Sequence, residues 1–325
     1  MKTIRLIMAC MAGAALLCSA GHAGAQQWPA RPLRVIVAFG PGSTPDIVAR
    51  IVSDRLSHSL GKPVVVENKP GAAGNIGTDA VAKAAPDGYT LGVTISGPLA
   101  ANTVLFGKLP YDPQTDIATI SIAATQPSVL VVSRDTGAAD MPALLARLRG
   151  NPGKFNYASM GTGSISHLAM AALAARSGTE IVHVPYPGSG QAVASILAGD
   201  TQMAVLPAAA VMPHVRAGKL TALAVATARR SAVLPGLPTL GEVGLPDIQG
   251  DAWMGFIAPS GTPAAIIDRL QKEIARILHE DEVKSRLQAQ LMEPVGGTPA
   301  EFRATLQSDL ARWQPVIRKN QIRLD

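Results

Sequence analysis

An α/β fold of two lobes, with mostly parallel sheets and a hinge of crossing strands, is predicted by three observations. Strand-like and helix-like segments alternate beyond Trp28. A strand, a glycine loop and a helix start recur as a unit in two places, at Leu33–Leu60 and Phe155–Ala175. The pattern also changes after Pro110-Tyr111-Asp112-Pro113, where two strand-like runs flank a short crossing segment. Alternation of this kind is the mark of strands joined by helical crossovers.

The first unit begins with the apolar strand Leu33 to Phe39, passes through Gly40-Pro41-Gly42-Ser43-Thr44-Pro45-Asp46, and enters a helix with Ile47, Val48, Ile51, Val52, Leu56 and Leu60 at helical spacing. Thr44 is expected to cap the first amides, with Pro45 at the first helical position, where no amide hydrogen is needed. Unpaired amides and the positive end of the macrodipole attract carboxylate or phosphate there, and glycine lets a ligand approach the backbone closely. An ordinary strand-to-helix turn is the plainer reading, and the second copy weighs against it. Short strands follow at Val64–Glu67 and Tyr89–Thr94, the latter ending at Ser96-Gly97-Pro98, which offers a third binding edge.

Beyond Pro113, Ile117–Ala124 and Val129–Ser133 read as strands around a crossing segment at Thr125–Pro127, where the first lobe boundary is placed. The second unit is the strand Phe155–Ser159, the loop Met160-Gly161-Thr162-Gly163-Ser164, and a helix through Leu168, Leu173 and Ala175. Next come the strand Ile181–Tyr186, the glycine-rich Pro187-Gly188-Ser189-Gly190, a helix through Val193, Ile196 and Leu197, and strands at Met203–Leu206 and Leu220–Ala226. The pattern shifts again at Pro246–Trp253. In the tail, Thr262-Pro263 opens a helix with Ile266, Ile267, Leu270, Ile274, Ile277 and Leu278 on one side, and Thr298-Pro299-Ala300-Glu301 reads as a capping box. These helices need a surface, so the tail is expected to return to the first lobe. The lobes are then residues 26–126 with 248–325, and residues 127–247. Two lobes set the carboxyl ends of their strands across a cleft, an arrangement suited to capture and closure.

Residues 1–25 read as a cleaved export signal. Lys2 and Arg5 precede an uncharged apolar run from Leu6 to Ala20, and Ala23-Gly24-Ala25 supplies small residues for cleavage before Gln26. Both cysteines, Cys10 and Cys18, fall inside it, so the mature chain has no disulfide, thiol nucleophile or cysteine metal site. Without Lys2 and Arg5, 27 basic residues face 23 acidic ones, a formal charge of +4. Scattered cations and few aromatics exclude a nucleic-acid partner.

Catalytic groups are sparse. Ser164 and His167 lie three apart on one helix face and could be mistaken for a nucleophile and its base, but no Gly-x-Ser-x-Gly elbow supports them. His58, His183, His214 and His279 have no second ligand at metal spacing, and the Gly40–Thr44 loop lacks the lysine of a P-loop. Neither enzyme activity nor a cofactor or metal is expected.

Several segments together resemble the Bug, or TctC-like, extracytoplasmic solute-binding proteins. They are Pro29–Arg34, the Phe39–Arg50 loop and helix, Val64–Gly77, Ala85–Leu91, Leu109–Pro113, Ser164-x-x-His167, His183–Tyr186, Ala217–Leu220 and Glu293–Pro299. The likeness spans essentially the whole mature chain. It implies a periplasmic receptor of Venus-flytrap type, monomeric, which delivers a small organic carboxylate to the membrane subunits of a tripartite tricarboxylate transporter. It also implies which loops hold the ligand: Pro41, Gly42, Ser43, Thr44 and Asp46 on one lobe, with Thr94, Ser96 and Gly97 beside them. Ser159, Gly161, Thr162, Gly163 and Ser164 lie opposite, with Tyr186 and Gly188 near the rim.

Three departures from the family's usual pattern bear on specificity. Gly40 and Ser43 alter the first loop, Pro187 stands where a lysine often follows the tyrosine, and Pro207-Ala208-Ala209-Ala210 replaces polar or acidic residues. Since unpaired buried charge is costly, the distal part of the ligand is expected to be apolar or aromatic. A sensory or orphan carboxylate-binding protein and, more remotely, a secreted serine hydrolase are the rival readings.

Overall fold

The computed structural model describes residues 28–324, so the expected export signal lies outside the described residues. In chain order the strands are β1 (Leu33–Val37), β2 (Val64–Asn68), β3 (Thr90–Thr94), β4 (Ile117–Gln126), β5 (Ser128–Ser133), β6 (Asn156–Ser159), β7 (Val182–Pro185), β8 (Met203–Pro207), β9 (Leu220–Val225), β10 (Ala252–Pro259) and β11 (Glu293–Pro294). The α-helices are α1 (Thr44–Leu60), α2 (Asn75–Ala82), α3 (Asn102–Leu105), α4 (Met141–Gly150), α5 (Ile165–Ser177), α6 (Ser189–Ala198), α7 (Ala208–Arg216), α8 (Ala264–Leu278), α9 (Asp281–Ala289) and α10 (Pro299–Lys319). One sheet has six strands in the order β11-β4-β10-β3-β1-β2, and the other five in the order β7-β6-β8-β5-β9.

The sheets are mixed rather than mostly parallel. β1 runs parallel to β2 and β3, and β6 parallel to β7 and β8. β10 is antiparallel to β3 and β4, and β5 antiparallel to β8 and β9. The reason lies in the crossings. Through Pro127 the chain passes from β4 directly into β5 in the other sheet, and it returns from β9 to β10. A strand that enters a sheet at the edge facing its neighbour must run away from that edge, opposite to strands whose carboxyl ends point toward it.

Each sheet buries its own apolar face. Val35, Val37, Leu91 and Val93 pack against Val48, Val52 and Leu56 of α1 and against Leu270, Ile274 and Ile277 of α8. Leu130, Val132, Met203 and Val205 pack against Leu168 and Leu173 of α5. Three- and four-residue spacing on these helices sets one stripe inward, which is how the sequence specifies their orientation. Two helix starts fall one or two residues from where the sequence reading put them. The cap position of α1 is Ser43 (φ −68°, ψ 158°), which makes Thr44 the first helical residue and Pro45 the second, where the amide is also unneeded. α8 begins after Pro263, with no side-chain cap, because the Thr262 hydroxyl donates to the Pro259 carbonyl at 2.8 Å instead. The capping box at Thr298 and Glu301 is present.

The tail does not remain with the first sheet. Phe302 of α10 meets Trp253 edge-on at 5.0 Å beside Ile36 and Ile257, but Trp313, Ile317 and Ile322 lie in the core around Leu168 and Leu173. At 21 residues the helix is about 30 Å long, enough to reach from one sheet to the other. Ala101 and Leu105, from the loop after β3, join the same second core.

Candidate functional site

Five loops at the carboxyl ends of β1, β3, β6, β7 and β8 open toward one cleft of about 530 Å³ between the sheets. All five belong to the parallel strands, the ends at which open α/β sheets place ligands.

On the first side, the loop before α1 is shaped from beneath by Asp46. Its Oδ2 accepts the Gly42 amide at 2.9 Å and Arg50 Nε at 3.0 Å, while Oδ1 accepts Asn68 Nδ2 at 2.8 Å. Burial alone would raise the Asp46 pKa, but Arg50, the Gly42 amide and Asn68 together hold it below the ordinary carboxylate range. Its charge is therefore committed to the loop. No side chain caps α1. The Ser43 hydroxyl is enclosed, and so is that of Ser96 just after β3; neither has a hydrogen-bond partner among the described residues. Buried polar groups are seldom left so, and unlike Ser53 of α1, whose buried hydroxyl is also unpaired among the described residues, these two line the cleft. Thr94 sits below, its Oγ1 3.2 Å from Thr78 Oγ1. Ser96 and Gly97 lead into a π-type turn, Gly97–Ala101, braced by Asn102 Nδ2 donating to Asn75 Oδ1 at 2.7 Å.

On the second side, the loop before α5 is tied to itself. The Met160 amide donates to Ser166 Oγ (2.8 Å), that of Gly161 to Ser159 Oγ (3.2 Å), and that of Gly163 to His167 Nδ1 (3.0 Å). Ser164 caps α5 by accepting the His167 amide at 3.3 Å, and its hydroxyl donates to the Gly161 carbonyl at 2.6 Å. Ser159 Oγ also lies 2.6 Å from His183 Nε2, and the rings of His183 and His167 stack with centroids 3.8 Å apart. Burial and the neighbouring His183 hold the His167 pKa down to about 4, and burial lowers that of His183 as well. Both rings are neutral near pH 7 and serve as hydrogen-bonding supports. The His167 ring thus faces the Gly163 amide rather than the Ser164 hydroxyl, and no nucleophile–base pair forms between them. Among the described residues, Thr162, Ile165 and Ser166 keep backbone amides without partners on this side.

Of the residues the sequence nominated, Gly42, Ser43, Thr44, Ser96, Gly97, Thr162, Gly163, Ser164 and Gly188 line the cleft together. Pro41, Asp46, Thr94, Ser159, Gly161 and Tyr186 do not line it. Asp46 and Ser159 stand behind the loops as supports, Gly161 supplies carbonyl and amide contacts within its loop, and the Tyr186 amide donates to the Ser159 carbonyl at 3.0 Å. Of the positions at which the chain departs from the family pattern, Gly40 and Ala208 do not line the cleft, and Ser43, Pro187, Pro207, Ala209 and Ala210 do. So do Phe39, Asn102, Gln126, Met160, Met254 and Leu324, which the sequence reading passed over. Gln126, just before the crossing proline, had a positional cue; Leu324 had none.

Among the described residues, none that lines the cleft carries a charged side chain. The starts of α1, α5, α6 and α7 all reach the cleft, through Ser43–Pro45, Ser164–Ile165, Gly188–Ser189 and Pro207–Ala210, and only α5 has a side-chain cap. Converging helix starts put partial positive charge on a site with no cation, which suits one anionic group bound by amides and hydroxyls. The remaining walls are largely apolar. Among the described residues there is no group of three or more His, Cys, Asp or Glu able to hold a metal, and no helix is long and apolar enough to cross a membrane.

A family profile described as the tripartite tricarboxylate transporter family receptor, TctC, matches residues 48–322. Protein BugT of Bordetella pertussis is 37% identical over 306 residues, covering 94% of each chain. R. palustris Rpa4515, solved with adipate, has 32% identity and a TM-score of 0.80, over 91% of this chain and 99% of that one. MatC from Rhodopseudomonas palustris, solved with bound malate, has 31% identity and a TM-score of 0.75, over 89% of this chain and all of that one.

Proposed function

The chain belongs to the tripartite tricarboxylate transporter receptor family, TctC, and from that premise we propose that it is a periplasmic receptor for a small carboxylate with an apolar or aromatic body. In this reading residues 26–126 with 248–325 and residues 127–247 act as two lobes, except that the end of α10 and the tail dock on the second, and the lobes close on the ligand and hand it to the membrane subunits of a tripartite transporter. The observation that carries the ligand class is the cleft's charge pattern among the described residues: uncapped helix starts on both sides, two buried hydroxyls without partners, and no charged side chain in the lining.

The ligand's carboxylate takes the hydroxyls of Ser43 and Ser96 and the first amides of α1, and closure brings Thr162 and the first amides of α5 against it. Hydrogen bonds from neutral donors to a charged group contribute about 1.5–3 kcal/mol each. A second or third carboxylate would have no cation to pair with, and an ammonium no carboxylate, so citrate and amino acids are disfavoured by desolvation. The rest of the ligand lies against Phe39, Met160, Pro207 and Met254. Calorimetric titration at pH 7 with phenylacetate and with citrate tests the reading. Tighter binding of phenylacetate is expected; clear preference for citrate would overturn it.

A further inference from the structure

Leu324 lies where the tail, α3 and the loop before α5 meet. Its amide donates to the Leu105 carbonyl at 2.8 Å, and it forms a parallel bridge with Phe106, so the tail is fastened to the end of α3. Two residues earlier, Ile322 is buried in the core of the second sheet. The segment is thus tied both to α3 and to the core of the second sheet. Leu105 and Leu324 fill the space next to Gly163: a Cβ there would stand 2.8 Å from Leu105 Cδ1 and 3.0 Å from Leu324 Cδ1. Gly163 has φ +76°, and its amide is the one held by His167. The loop before α5 therefore rests on these two leucines. Leu324 also lines the cleft.

We infer that Leu324 is a specificity-determining residue: its side chain closes one end of the apolar part of the cleft and sets how long a ligand body fits, while also setting the height of the Gly163 loop. This rests on the carboxylate-receptor reading for its ligand half. The loop half stands on the contacts alone. Met254 and Ala252, by contrast, belong to the eight-residue strand β10, where they pair with Ala124 and Gln126 of β4. Leu324 has a single ladder step, so its side-chain volume is the adjustable wall.

The experiment pairs Leu324→Ala and Leu324→Phe with the volume-conserving Leu324→Met, in the whole chain, and titrates each with straight-chain monocarboxylates from butanoate to decanoate. Leu324→Ala should move the preferred chain length upward, with about fourfold gained in affinity for each further methylene buried. Leu324→Phe should move it downward, and Leu324→Met should keep the wild-type order. An identical order of preference in all four proteins would overturn the inference. Backbone amide exchange at Gly163 and Ser164, the hydrogen-bonded amides of the loop, should be faster without ligand in Leu324→Ala than in wild type; unchanged exchange would overturn the loop half. Were the wild type to bind none of the acids, the receptor reading would fail at this ligand class, and the exchange measurement would still decide the role of Leu324.

Discussion

Acid should weaken this protein through His167. The ring is buried, accepts the Gly163 amide at 3.0 Å, and is stacked on His183, so a proton there would break a hydrogen bond and sit in a poorly solvated site; its pKa is held at about 4. In the unfolded chain the same ring titrates near the ordinary 6.5. Because the folded value is the lower one, the unfolded state binds the proton more tightly. Stability is thus full above pH 6.5, falls as pH drops toward 4, and levels off below. The two values give a loss of about 2 kcal/mol at pH 5 and about 3 kcal/mol once both states are protonated. His167→Asn keeps an acceptor for the Gly163 amide and cannot titrate. Urea unfolding of both proteins between pH 7 and pH 4.5 isolates the effect, since shared carboxylates and His183 largely cancel in the difference. Whatever gap in stability separates them at pH 7, it should shift by about 2 kcal/mol in favour of the variant by pH 5. Parallel curves would refute the reasoning.

Four further substitutions have defined outcomes. Ser43→Ala and Ser96→Ala remove hydroxyls without protein partners, so melting should change little, while affinity for the bound carboxylate should fall by about 1.5–3 kcal/mol for each in calorimetry. Asp46→Asn loses the charge that holds Arg50 and the Gly42 amide, and should destabilise by about 1–3 kcal/mol in denaturant unfolding. Gly163→Ala places a Cβ against Leu105 and Leu324 at a positive φ, and should cost about 1–3 kcal/mol in stability and weaken binding as the loop lifts.

Much of the fold was legible because it depends on local signals. The strand at Leu33, the turn at Gly40–Ser43 and the stripe on α1 are one continuous message, and the capping box at Thr298 needs only four residues to be read. Sheet direction was not local. That β5 and β10 run against their neighbours follows from how the chain re-enters each sheet, which no window of sequence contains. The tail's reach into the second core is likewise a matter of helix length and partner surface. For the site, glycine and hydroxyl spacing found the loops but not the division of labour within them. Asp46, Ser159 and Ser164 look like ligand contacts on residue type, yet their polar atoms are occupied by loop amides, carbonyls and neighbouring side chains. The hydroxyls of Ser43 and Ser96 are distinguished by lining the cleft while having no hydrogen-bond partner among the described residues. Leu324 enters from a distant part of the chain and could be found only in three dimensions.

The central claim is that an uncharged cleft holds a single carboxylate by helix starts and hydroxyls. Its most direct test is thermal unfolding of the protein, stripped of bound ligand by unfolding and refolding. The test panel comprises monocarboxylates, dicarboxylates, citrate and acidic amino acids, with the matching amide of each monocarboxylate as a control. A ligand at one hundred times its dissociation constant stabilises by about 2.7 kcal/mol, a rise of several degrees. The account predicts such a rise for an apolar or aromatic monocarboxylate and none for its amide. Equal stabilisation by acid and amide, or a rise with citrate alone, would contradict it.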